Sequence, residues 1–199
     1  MTKIAIPIVF LLSIIIAVAT FRFIPLGLEL AYPDMMHQII NARSFFLAHI
    51  IASSIALALG AYQLFPNMRR RFLSLHRWTG RVYVLSVMIG GISGLIIALQ
   101  QEAIIGSIGF ALLAVIWLTT TIRAVLFARA KMIAKHRIWM ITSFALTFAA
   151  VTLRLQLAFL FFGLDMPYSQ IYPFLAWSCW VPNLLFAVWW VKKYPLPPS

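Results

Sequence analysis

A chain of 199 residues that is 63% hydrophobic and 10% charged, with a mean hydropathy of +0.97, carries more apolar surface than one water-soluble core can hide. Sixteen basic and four acidic residues leave a formal charge of +12, but no long wet segment exists to carry a basic face, so nucleic-acid binding is set aside. The composition predicts an integral membrane protein.

A spanning helix needs about 20 mostly apolar residues. Six stretches reach that length, at about 4–26, 44–65, 79–99, 104–127, 138–163 and 170–191. In the first, Thr2 and Lys3 precede an apolar run that reaches Ala17-Val18-Ala19, a pattern compatible with signal-peptidase cleavage. Apolar residues continue through Phe21, Phe23, Ile24 and Leu26, which predicts an uncleaved first span. The connections are short, the longest running from Gly27 to Arg43. The expected fold is all-α, a polytopic helical bundle over residues 1–199 with six transmembrane helices in one domain.

Charge sets the expected orientation, because Lys and Arg are retained in short cytoplasmic loops. One side carries thirteen of the 16 basic residues: Lys3, Arg69, Arg70, Arg71, Arg77, Arg81, Arg123, Arg129, Lys131, Lys135, Arg137, Lys192 and Lys193. The other side carries all 4 acidic residues, Glu29, Asp34, Glu102 and Asp165, with Arg22, Arg43 and Arg154 near it. Both termini are expected in the cytoplasm, and the location a bacterial inner membrane. Anionic lipid attracts such juxtamembrane cations by about 1 kcal/mol each, so the positive charge needs no other ligand.

Polar residues inside the spans are the candidate functional positions. In span two, His49, Ser53, Ala56, Gly60 and Gln63 recur at the helical period and are expected to face the bundle interior. His49 is read either as one wall of an outer-leaflet pocket or as a neutral imidazole bonded to a neighbouring helix. Span three opens with His76-Arg77-Trp78-Thr79-Gly80-Arg81-Val82-Tyr83, and Gly90 and Gly94 then form a small-xxx-small pair for close helix approach. Span five opens comparably with Lys135-His136-Arg137-Ile138-Trp139-Met140. The two openings suggest an inner-surface site made twice, or only interfacial anchoring. Arg154 lies about nine residues inside the outer end of span five, roughly 13 Å at 1.5 Å per residue, and shares a face with Thr147, Ser143, Met140 and His136. It faces protein or water, or snorkels outward. In span six, Pro182 predicts a kink, with Asn183 placed to pair across the bundle. The lone Cys179 reads as a small packing residue.

With those residues in view, the chain resembles an uncharacterised bacterial membrane-protein family, domain of unknown function twenty-three-oh-six, from about Ala48 to Val191. The carriers are the His49 span ending in Leu57-Ala58-Leu59-Gly60, the segment from Leu75-His76-Arg77-Trp78 to Val84, and His136-Arg137-Ile138-Trp139-Met140. To these are added Ala145 to Arg154 and Trp177-Ser178-Cys179-Trp180-Val181-Pro182-Asn183. The resemblance implies a membrane location and no particular activity. Members are often more basic after the second histidine motif, where this chain has Ile138 and Thr142.

Three functions fit the residues. One is a b-type haem or quinone-linked electron-transfer bundle, in which His76 and His136, both at the start of inward-opening helices, are the expected iron ligands and His49 and Arg154 line the cofactor or lipophilic-ligand site. The second is a bundle that binds or transports a lipid, a quinone or another lipophilic molecule. The third is an accessory subunit of a larger membrane complex. No P-loop is present, since Gly90-Gly91-Ile92-Ser93-Gly94 lacks the lysine and lies within a span. The four carboxylates lie at the outer edge, which supplies acid–base catalysis poorly.

Overall fold

The computed structural model describes residues 4–65, 71–101 and 103–194. Among these residues the chain is all helical, without strands, and six helices are long and apolar enough to cross a membrane. They are span one, Ala5–Leu26; span two, Arg43–Tyr62; span three, Leu73–Leu99; span four, Ile104–Arg129; span five, Ile133–Gly163; and span six, Tyr168–Lys193. Span three starts about six residues, and span five about five, before the apolar stretches expected from sequence. The reason is that hydropathy marks the hydrocarbon-embedded part of a helix, whereas Arg, Lys, Leu and His continue the helical backbone into the polar interface. Of the charges used to orient the chain, Lys3, Arg69, Arg70 and Glu102 lie outside the described residues. Two compact units result, Met1–Gln100 and Gln101–Ser199, each with three spans.

In the first unit, span one breaks after Thr20 and the connection to span two is a folded cap rather than an open loop. It contains helical turns at Leu28–Ala31, Pro33–Met35 and Met36–Asn41. Gly27, at φ 78°, makes the reversal that a side chain would strain. Arg22 donates from Nε and Nη2 to the Ala31 carbonyl at 3.0 and 2.7 Å and lies 4.5 Å from the Tyr32 ring centre. Tyr32 donates its hydroxyl to the Thr20 carbonyl, left open where the helix breaks. Leu28, Ile39, Phe46 and Ile50 close over one another as a buried cluster. Spans two and three approach closely because Gly90 and Gly94 carry no side chain. A Cβ on Gly90 would stand 2.8 Å from Ser53 Oγ, and one on Gly94 would stand 2.8 Å from His49 Nδ1.

In the second unit, span four packs on span five and on the first half of span six. Span six is two helices, Tyr168–Ser178 and Val181–Lys193, with Pro182 in the first turn of the second. Proline has no N–H for the carbonyl four residues back, which is Ser178. Gln156 of span five donates from Nε2 to that carbonyl at 3.4 Å and accepts the Ser178 hydroxyl at 3.0 Å. Trp180 turns its indole N–H onto the Ala176 carbonyl at 2.7 Å, and Asn183 Nδ2 covers the Cys179 carbonyl at 3.1 Å. The expected kink is therefore a break whose carbonyls are capped one by one. Asn183, expected to pair across the bundle, donates from Nδ2 to Thr152 Oγ1 of span five at 2.9 Å.

Candidate functional site

The candidate residues fall in both units, and each is built by its own neighbours. His49 lies on span two with its ring edge against Gly94 and its Nδ1 2.8 Å from the Gly90 carbonyl of span three. A carbonyl oxygen only accepts, so Nδ1 carries a proton, and when the ring is neutral its lone pair lies on Nε2. Two further residues of the stripe face the same neighbour. Ser53 meets Gly90, and Gln63 donates from Nε2 to the His76 carbonyl at 2.9 Å and to Thr79 Oγ1 at 2.8 Å. The first turn of span three is thereby fastened to the end of span two, with His76 half-buried in it.

His136 repeats the arrangement in the second unit. Its Nδ1 lies 2.9 Å from the Ala124 carbonyl of span four, which fixes the same tautomer and turns the lone pair to Nε2. His76 and His136 are each the fourth residue of their helix, and each donates its backbone N–H to the residue before the helix, Phe72 and Met132, at 2.9 Å. Further along span five, Ser143 and Thr121 share a hydroxyl–hydroxyl bond of 2.6 Å, and Trp117 donates its indole N–H to Thr147 at 2.9 Å. Ser143 and Thr121 are fully buried. The polar stripe of span five from His136 to Thr147 is thus a hydrogen-bonded seam against span four. Its counterpart of Trp117, Thr121 and Ala124 was missed in the sequence, although Trp117 and Thr121 stand one helical turn apart. Alanine contributes only a carbonyl, which leaves no mark in a sequence.

Arg154 is half-buried beyond a helix irregularity at Phe148, and its Nη1 donates to the Ala150 carbonyl, one turn back, at 3.0 Å. Among the described residues no group of three or more His, Cys, Asp or Glu side chains sets up a cage for a bare metal ion. An iron already held by a porphyrin asks for only one or two axial imidazoles.

Six apolar helices, and hydroxyls, amides and imidazoles joined across helices, define a multi-pass helical membrane protein. The chain belongs to the family described as "Predicted membrane protein (DUF2306)", whose model matches residues 46–191. His49, His76, His136 and Arg154 all lie within that match, whereas span one and most of the cap lie before it. No curated protein and no solved structure matches the chain.

Proposed function

We propose that this protein is a membrane electron-transfer bundle that binds b-type haem, with His136 and, in the other unit, His76 each as a candidate imidazole ligand, and quinone as the lipophilic redox partner. The observation that carries the reading is the bond from His136 Nδ1 to the Ala124 carbonyl. A histidine that ligates a metal through one ring nitrogen characteristically donates the other to a carbonyl or carboxylate, which fixes the ring and raises its basicity. His136 has that anchor before any ligand arrives, and His49 has the same anchor on Gly90. The haem supplies reversible one-electron chemistry when bound. Arg154 supplies a positive charge for a carboxylate or another anionic group inside the membrane. The uneven distribution of basic residues supports cytoplasmic termini and a bacterial inner-membrane location.

Absorption spectra of the purified protein, oxidised and reduced, after expression with ample haem supply, test this reading. A low-spin haem spectrum is expected, lost in His136→Ala and in His76→Ala. A wild-type protein that stays colourless under these conditions sinks it. A second reading, binding of a lipophilic molecule without haem, draws on a largely apolar groove of about 240 Å³ between spans one and two, lined by Ile14, Ala17, Val18, Ile55 and Leu59 with Ser54 among them. Its test is retention of quinone by the colourless protein.

A further inference from the structure

Five cations, Arg123, Arg129, Lys131, Lys135 and Arg137, stand within the 15 residues around the turn from span four to span five. The sequence has no acidic residue between Glu102 and Asp165, and the one ion pair among the described residues, Arg43 with Glu29, lies in the other unit. The turn does not use these side chains to close itself. Main-chain bonds do that work, from Ala130 to Leu126, Lys131 to Ala128 and Met132 to Phe127, at 2.9, 3.0 and 2.9 Å. Lys131 takes φ 58° at the tip, a conformation that glycine or asparagine adopts with less strain. Two aromatic rings then aim two of the cations. Phe127 and Trp139 stack at 6.5 Å, with the Arg123 guanidinium 4.9 Å from the Trp139 centre and Lys135 Nζ 5.4 Å from the Phe127 centre.

The surface beside this cluster is apolar: Ile122, Leu126, Met132 and Ile133 are 47, 56, 41 and 41% exposed. Charge and apolar surface meet at the end of a hydrophobic span, at the level where headgroups lie. An acidic protein or a nucleic acid would satisfy the cations and leave the four apolar side chains uncovered. A phospholipid matches both parts.

We infer that the turn between spans four and five is a binding site for one anionic phospholipid, its phosphate held by Arg123 and Lys135 with Arg129 and Lys131 around it, and its acyl chains lying on Ile122, Leu126 and Ile133. The site is independent of whether haem is bound. The planar Arg123 is fixed by Trp139 and offers paired donors to phosphate oxygens, while Lys135 adds a point charge.

The test is native mass spectrometry of the full chain released from micelles containing equal phosphatidylglycerol and phosphatidylcholine, with tryptophan emission and helicity as checks of fold. The wild type is expected to retain phosphatidylglycerol in preference by roughly tenfold or more, since each basic residue near an anionic headgroup is worth about fivefold. The double variant Arg123→Gln/Lys135→Gln should lose most of that preference, Arg123→Lys, which keeps the charge without the paired donors, should keep only part of it, and Lys192→Gln/Lys193→Gln, at the end of span six, should be unchanged. Equal retention of the two lipids by the wild type overturns the proposal. So does an undiminished preference in a folded double variant, or displacement of the lipid by millimolar inorganic phosphate, which would make this a free-phosphate site. If the double variant does not fold, Arg123→Gln and Lys135→Gln singly are each expected to lower the preference severalfold, and no loss in either overturns the proposal.

Discussion

One methyl group at Gly94 would stand 2.8 Å from Nδ1 and 2.9 Å from Cε1 of His49, closer than side-chain carbons tolerate. The imidazole is pinned between that surface and the Gly90 carbonyl, so it cannot retreat without breaking its hydrogen bond. Gly94→Ala is therefore predicted to cost about 1–3 kcal/mol through overpacking. Thermal unfolding in detergent, followed by helicity, measures this, and His49→Ala in the same chain should restore part of the loss; additive losses would remove the contact from the account. Two of the arginines near the acidic side also have plain structural employment. Arg22 caps a carbonyl and lies over Tyr32, and Arg43 pairs with Glu29 at 3.3 Å. Cys179 is fully buried, as its sequence setting suggested, and a maleimide dye is predicted to label it only as the second unit opens. Labelling of the folded protein at the rate of an exposed thiol would contradict this.

At the scale of elements, the break in span six makes a sharper prediction than any single contact. Pro182 leaves the Ser178 carbonyl without its helical donor, and Gln156 replaces that donor from span five. Gln156→Leu should destabilise the protein by about 1 kcal/mol, because a partly buried carbonyl loses its partner. In a Pro182→Ala background the helix supplies its own N–H, and the same change should cost little. A double-mutant cycle in chemical unfolding checks this, and equal costs in both backgrounds would mean that Gln156 serves another purpose. The break itself was legible, since proline acts on the backbone wherever it stands. The existence of all six spans was legible for a similar reason: burying about 20 apolar residues in lipid outweighs local preferences. The starts of spans three and five were legible only to within a few residues: His76 and His136 were read as opening their helices, which in fact begin at Leu73 and Ile133, because hydropathy is silent about the polar end of a helix. The polar stripes were visible as periodicity, yet their direction was not. His136, Ser143 and Thr147 face span four, a choice fixed by Trp117, Thr121 and the Ala124 carbonyl.

For the whole molecule, the uneven charge predicts which surfaces meet the cytoplasm. Single cysteines introduced at Arg69 and Lys131 into a Cys179→Ala chain should react with a membrane-impermeant reagent only from the cytoplasmic side. Those at Asp34 and Asp165 should react only from outside, and the reversed pattern would invert the topology. The repaired break in span six also has a consequence for how the protein is made. Span six is the least apolar of the six spans and interrupts its own backbone ladder, so on leaving the ribosome it presents open carbonyls to lipid. Gln156, which covers one of them, has already been synthesised in the preceding span. Membrane entry of the final span is thus predicted to depend on span five waiting beside it in the translocation machinery. Fused alone to a reporter, residues 168–193 should integrate less efficiently than residues 133–193 as a pair, and Gln156→Leu should narrow that difference. Equal integration of the lone span and the paired one would show that the break is tolerated before it is capped.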